Sequence, residues 1–130
     1  GAQYSPDGKY ISYNGGPNLY RIDRKLGTIK QLTFLSKPQQ SVQSHEWSPD
    51  GKWIAYVVGV PDKAENRVNT DIWLVPAQGG EPRQLTRSPR HDRHPTWSPD
   101  SRWLAFESNR DGEFQVYAIA VDGGGTPGYY

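Results

Sequence analysis

The chain has 130 residues, with 14 glycines, 11 prolines, no cysteine and no methionine. A net charge of +1, spread evenly, argues against a dedicated nucleic-acid or acidic-membrane surface, and without cysteine there is no disulfide framework to indicate a redox compartment. No apolar run approaches the ~18 residues of a membrane-spanning helix, so no membrane insertion is expected; no leader peptide is recognised, and the Gly1-Ala2 start reads as a mature or excised boundary.

In chain order, Gln3 and Tyr4 have the length of a strand end only, and Ser5-Pro6-Asp7-Gly8 turns the chain at once. Proline presets φ in such a turn, aspartate bonds local backbone, and glycine takes the left-handed conformation of a tight hairpin. Tyr10–Tyr13 and Leu19–Ile22 then read as paired strands, followed by an outer strand over Ile29–Phe34. The polar segment 35–44 connects to a second unit. There His45–Trp47 leads into Ser48-Pro49-Asp50-Gly51, Trp53–Val58 and Asp71–Val75 are β-branched and aromatic runs, and Arg83–Thr86 closes the unit after Gln78-Gly79-Gly80. Between its two central strands lies a 12-residue excursion, 59–70, long enough to suggest either a functional loop or a solvated one. The locally basic segment 87–93 leads to a third unit with strands at His94–Trp97, Trp103–Ser108 and Phe114–Ala120; Thr126–Tyr130 matches the opening of a fourth.

The three units are repeats. Tyr4–Tyr13, Trp47–Tyr56 and Trp97–Phe106 align residue for residue, with Ser-Pro-Asp turns starting at Ser5, Ser48 and Ser98, 43 and 50 residues apart. A period in the forties with four strands per unit is the signature of a β-propeller blade. The expected fold is therefore all-β: three four-stranded antiparallel meanders, at 1–34 (inner strand truncated), 45–86 and 94–130 (outer strand truncated). The recurring aromatics, Trp47, Trp53, Trp73, Trp97 and Trp103 with Tyr4 and Tyr10, fit a packing layer between blades, so Trp47, Trp53, Trp97 and Trp103 are expected to be largely buried.

The stretches WSPDGKWIAY, DIWLV, GGEPRQLT and SNRDG resemble the TolB-like, or PD40, propeller repeat over essentially the whole chain. The resemblance implies a WD40-like blade used for protein–protein binding in the cell envelope, or for the propeller that caps the hydrolase domain of prolyl-oligopeptidase-type serine peptidases. Units two and three are similar to acylaminoacyl-peptidase-like members. Such propellers have six, seven or eight blades, so three depart from the pattern and would make half of a six-bladed ring. The implied compartment is periplasmic for the TolB type and cytoplasmic for the peptidase type.

Peptidase chemistry of that kind needs a Gly-x-Ser-x-Gly elbow with an acid and a histidine, and no such elbow occurs. The Ser-Pro-Asp serines sit in turns, where the hydroxyl bonds local backbone. The chain therefore reads as non-catalytic, without a cofactor. His91, Asp92 and His94, with His45 from the neighbouring unit, form the only cluster worth weighing as a metal site, but they lack a structural or catalytic ligand set, and no metal is expected. Single-copy residues are better binding candidates than repeated ones: Asp62, Lys63, Glu65, Asn66 and Arg67 in the excursion, and Arg90, His91, Asp92 and His94 before the third unit. The expected function is a binding or scaffold module for a protein or peptide. Self-association, with a dimer giving six blades, or the remaining blades of a longer chain would complete it. The alternatives are a fragment of a peptidase's gating propeller and a designed or reconstructed fragment.

Overall fold

Three copies of one turn set the frame of the structure, a computed structural model that describes residues 1–62, 64, 67–87, 91–122 and 128–129. The hydroxyls of Ser5, Ser48 and Ser98 each accept the backbone N–H five residues on, at 3.0 Å, and donate to the aspartate two residues on, at 2.7, 2.6 and 2.6 Å. Each carboxylate also accepts the N–H of the residue two further along, Lys9, Lys52 or Arg102. The fourth turn position lies at φ 74°, 75° and 63°. Glycine enters that left-handed region freely at Gly8 and Gly51. Ser101 enters it too, and its hydroxyl accepts the Asp50 N–H of the preceding unit at 3.1 Å.

From these turns run three antiparallel meanders, and no helix occurs among the described residues. The first blade is β1 (Gln3–Tyr4), β2 (Tyr10–Gly15), β3 (Asn18–Asp23) and β4 (Ile29–Gln31). The second is β5 (Ser41–Trp47), β6 (Trp53–Asp62), β7 (Arg67–Pro76) and β8 (Arg83–Gln84). The third is β9 (Asp92–Trp97), β10 (Trp103–Ser108), β11 (Gln115–Ala120) and β12 (Gly128–Tyr129). Strand order follows chain order in each sheet, so every connection is a hairpin.

Outer strands β4 and β8 stop at Gln31 and Gln84, short of the expected ends, because Leu-Thr turns inward after each. Leu32 and Leu85 are buried between blades, and their N–H groups donate to the Leu19 and Ile72 carbonyls at 2.8 Å. Thr33 and Thr86 accept the N–H of the same Leu19 and Ile72 at 2.9 Å, and Gln31 and Gln84 donate to the threonine carbonyls. The repeated Gln-Leu-Thr thus replaces a ladder rung with side-chain bonds while placing one leucine in the core.

Two expectations are corrected here. The excursion 59–70 is largely hairpin: β6 and β7 run on through it to ten residues each, with Val60 paired to Asn69, Pro61 to Val68 and Asp62 to Arg67. Gly59, Pro61 and Asn69 are poor strand formers, but pairing with β5 ends at Gly59, so Pro61 sits where β6 is an edge and proline is tolerated. The inner strands also start earlier than expected, at Ser41 and Asp92, because each contains a bulge that breaks the alternation. Gln43 is the extra residue between the Val42–Val58 and Ser44–Val57 pairs, and His94-Pro95 faces Phe106 alone.

Blades stack through two cores. One joins the first and second blades through Leu19, Leu32, Val42, Trp47, Ile54, Tyr56, Val58 and Val75. The other joins the second and third through Ala55, Val57, Ile72, Leu74, Leu85, Leu104, Phe106, Tyr117 and Ile119. β6 supplies Ile54, Tyr56 and Val58 to one core and Ala55 and Val57 to the other, so it is apolar on both faces. Each joint is also latched by an arginine laid over the aromatic that follows the Ser-Pro-Asp turn. Arg21 lies 4.3 Å from the Tyr10 ring and donates to the Ala77 carbonyl; Arg83 lies 5.6 Å from the Trp53 ring and donates to the Val121 carbonyl. Trp103, the third aromatic of this series, has no blade beyond it among the described residues and is 45% exposed. The expectation of burial therefore fails for Trp103 and holds in full only for Trp47 (8% exposed), while Trp53 and Trp97 are half-buried at the second joint.

Candidate functional site

Several clefts lie on the surface, and the repeat sorts them. One lined by Gly51, Lys52, Trp53, Pro76, Ala77 and Gln78 and another lined by Lys9, Tyr10, Asp23, Arg24 and Lys25 occupy matching places in successive blades. They come with the repeat and have no chemistry of their own. A third, of about 300 Å³, lies where the heads of β5, β7 and β9 meet and is lined by Gln43, Ser44, Val57, Thr70, His91, Arg93 and His94. Its polar residue types are not repeated between units: where the second unit has Gln43 and Ser44 before its tryptophan, the third has Arg93 and His94. β5 and β9 are the first strands of their meanders.

The side of this cleft is a tight polar knot. Thr70, buried on β7, donates its hydroxyl proton to the Asp92 carbonyl at 2.8 Å and accepts the Asp92 N–H at 3.0 Å. With that proton committed, the 3.0 Å contact to His91 is made by an Nδ1–H donating to the Thr70 oxygen. The His91 N–H donates to the Asn109 side chain at 2.8 Å, and Thr70 and His91 form a parallel bridge between blades. The Asp92 carboxylate turns away from the cleft into the blade joint. It is fully buried, with Oδ2 held by Arg110 at 3.1 Å. Arg110 in turn lies over the rings of Tyr117 and Phe106, at 4.7 and 5.5 Å.

On the other side Glu107 grips two basic residues at once, Arg93 Nε at 3.1 Å and His94 Nδ1 at 3.4 Å. These bonds, His94 first and Arg93 second, hold the Glu107 carboxyl below its ordinary range. The Arg93 guanidinium is stacked 3.6 Å from the Phe114 ring centre. His94 adopts φ 53°, a conformation that L residues enter at a cost, in the bulge that swings its ring to the cleft rim.

Of the residues singled out from sequence, the structure brings His91 and His94 to the cleft and sends Asp92 to the joint behind it. Arg67 lies on β7 opposite Asp62, at the hairpin tip. Lys63, Glu65, Asn66, Arg90 and the Asp62 side chain lie outside the described residues. The four groups weighed for a metal do not converge: Asp92 is taken by Arg110, and His45 is buried at the other joint, bonded to Ser12 Oγ at 2.7 Å. Among the described residues no three metal-ligating side chains come together. Sequence reasoning missed Gln43, Ser44, Thr70 and Arg93 as individual site residues. Arg93 and Thr70 fall inside segments it did single out, whereas Gln43 and Ser44 carried no signal because the bulge that presents them is invisible in the residue pattern.

The Ser12–His45 contact is the closest serine–histidine approach shown, and its surroundings explain its role. Both residues are buried, Trp47 Nε1 donates to the same hydroxyl at 2.8 Å, and burial pushes the imidazole down to about 4. This is a neutral, buried pair that links two blades.

Four-stranded meanders stacked face to face around their first strands define a segment of a β-propeller. No family model matches the chain. It is 31% identical over 121 residues to an uncharacterized protein of Agrobacterium fabrum, covering 93% of this chain and 39% of that protein. It is 30% identical over 110 residues to dipeptidyl-peptidase 5 of Porphyromonas endodontalis, covering 85% and 15%. Among solved structures it superposes on the tricorn protease with a TM-score of 0.79 at 16% identity, covering 92% of this chain and 13% of that one. TolB from Acinetobacter baumannii follows with 0.66 at 21%, covering 98% and 31%. The chain spans well under half the length of these relatives. The fold is that of a TolB-like propeller segment, and in sequence the chain resembles propeller repeats of this kind.

Proposed function

We propose that the chain is a non-catalytic propeller module that binds a protein or peptide, and that its two end faces are completed by a further blade of the same repeat. The observation that carries this is a recurring aromatic pair. Tyr56–Trp73 and Phe106–Tyr117 are cross-strand partners, stacked at 6.5 and 6.0 Å, that face the preceding blade. Tyr13–Tyr20 is the same pair in the first blade, stacked at 5.5 Å, but it is half-exposed, with Tyr4 and Ile29 exposed nearby. At the opposite end Trp103 and Val116 are exposed. Faces built to the pattern of an interface are thus open at both ends. The covering blade comes from a second copy or from a longer parent chain. Sedimentation equilibrium is the test: a stable, compact monomer of 14.7 kDa would defeat the proposal.

The non-catalytic reading is supported by the engagement of the turn serines and by the burial of Ser12 with His45. Purified chain should not cleave peptide or ester substrates; turnover abolished by Ser48→Ala or Ser98→Ala would reverse that. The identity to dipeptidyl-peptidase 5 favours a second reading, in which the chain is part of the propeller that gates a serine peptidase. A Gly-x-Ser-x-Gly elbow downstream in the parent gene would select it and place the protein with the peptidase type. Without an elbow the TolB type, and with it the periplasm, is the reading.

A further inference from the structure

We infer that the cleft between β5, β7 and β9 binds a carboxylate of the protein or peptide partner, with Arg93 as the group that selects it. The inference rests on the reading of the chain as a binding module. The lining residues include one guanidinium, two imidazoles, two hydroxyls and an amide, and no carboxylate. Of the carboxylates around it, Asp92 is held by Arg110 in the joint behind, and Glu107, also outside the lining, holds Arg93 through Nε and His94 through Nδ1. An arginine anchored through Nε keeps its two terminal nitrogens, and paired guanidinium donors are the geometry that matches a carboxylate. Phe114 under the guanidinium and Glu107 beside it fix the group before a ligand arrives, which lowers the ordering cost of binding. Thr70 and His91 are likewise fixed by their mutual bond and by Asp92 and Asn109.

Two inner-strand bulges point to the same place. Gln43 on β5 and His94 on β9 are the residues at which the ladders slip, and both line the cleft. Bulges re-aim side chains at the rims of sheets, and here they turn two polar groups toward one space. Charge then sets the ligand class. Arg93 is the one permanent cation in the lining, and Glu107 lies directly behind it, so a monoanion is favoured over a phosphate dianion. Either of two sources supplies such a group to a peptide-binding surface: a chain terminus, or an aspartate or glutamate side chain.

The test is titration calorimetry of the 130-residue chain with three N-acetylated alanine-based tripeptides. One has a free C-terminus, one is its C-terminal amide, and one is the amide with a central glutamate. One or both acids should bind at least about tenfold more tightly than the neutral amide, the scale of a charge-assisted pair, and the acid that does so identifies the source. Arg93→Gln should remove that preference and His94→Gln should weaken it, with thermal melts checked for both variants. Arg102→Gln, on an exposed turn outside the cleft, should leave it unchanged. Equal binding of acids and amide, a preference that survives Arg93→Gln, or tighter binding of inorganic phosphate than of either acid would overturn the inference while leaving the binding-module reading intact. If no peptide binds, both fail.

Discussion

At the scale of single residues, the two blade joints carry buried polar groups with opposite electrostatic problems. His45 is buried next to Ser12 and stays neutral, with its imidazole pushed from 6.5 down to about 4 chiefly by burial. The unfolded chain takes up a proton below pH 6.5 that the folded chain refuses until about pH 4, so stability falls as pH drops through that window and levels off below it. The loss should be on the order of 3 kcal/mol, since the shift spans about 2.5 pK units of about 1.4 kcal/mol each. Urea unfolding across the window should show it, and His45→Asn should flatten that part of the profile. Asp92 is the reverse case, a buried carboxylate kept by Arg110. Arg110→Ala should cost roughly 3–5 kcal/mol, because it leaves a charge buried and unpaired. Asp92 and Ser108 stand, relative to Trp97 and Trp103, where the second blade has the buried pair Val42 and Val58. Adding Asp92→Val to Arg110→Ala should therefore recover much of the loss, measured as a double-mutant cycle of unfolding free energies.

At the scale of strands and turns, one repeat gives unequal consequences because its neighbours differ. Tyr10, Trp53 and Trp103 follow the same turn, but Trp53 packs into the second joint with Arg83 over its ring, and Trp103 faces outward. Trp53→Ala should cost roughly 3 kcal/mol or more, the scale of a large packed aromatic, and Trp103→Ala under about 1 kcal/mol in the isolated chain. Equal effects of the two on the midpoint of thermal unfolding would contradict the joint described above. The strand pattern itself was legible where alternation and turn chemistry agree, as at Trp53–Val58 and Trp103–Ser108. It was illegible at Ser41–Ser44 and Val60–Asn69, where a bulge, a proline and weak strand formers hide pairing that is imposed by the neighbouring strand.

At the scale of the whole molecule, three stacked blades have two end faces. Exposed Tyr4 and Ile29 at one end, and Trp103 and Val116 at the other, form apolar surface of the kind that stable monomers rarely leave open. If a second copy supplies the cover, sedimentation should give twice 14.7 kDa, and Trp103→Glu should shift the equilibrium toward monomer. If a longer chain supplies it, the isolated segment should aggregate, and joining it to its neighbouring blades should restore a sharp unfolding transition.

The amino-acid sequence by itself determined the repeat, the blade class and the turn that opens every unit, because the three Ser-Pro-Asp turns, and Gln-Leu-Thr in the first two units, act through bonds to residues close in the chain or one strand away. It also marked His91 and His94 as single-copy residues worth attention. Which aromatics are covered was decided only in the tertiary structure, since Trp53 is half-buried and Trp103 exposed according to whether another blade lies beside them. The cleft was decided there too. Gln43, Ser44, Thr70 and Arg93 come from three strands of two blades, and only stacking brings them together. Asp92 makes the same point: it adjoins the two histidines in the chain, yet its carboxylate belongs to a buried pair with Arg110, because successive side chains on a strand face opposite ways.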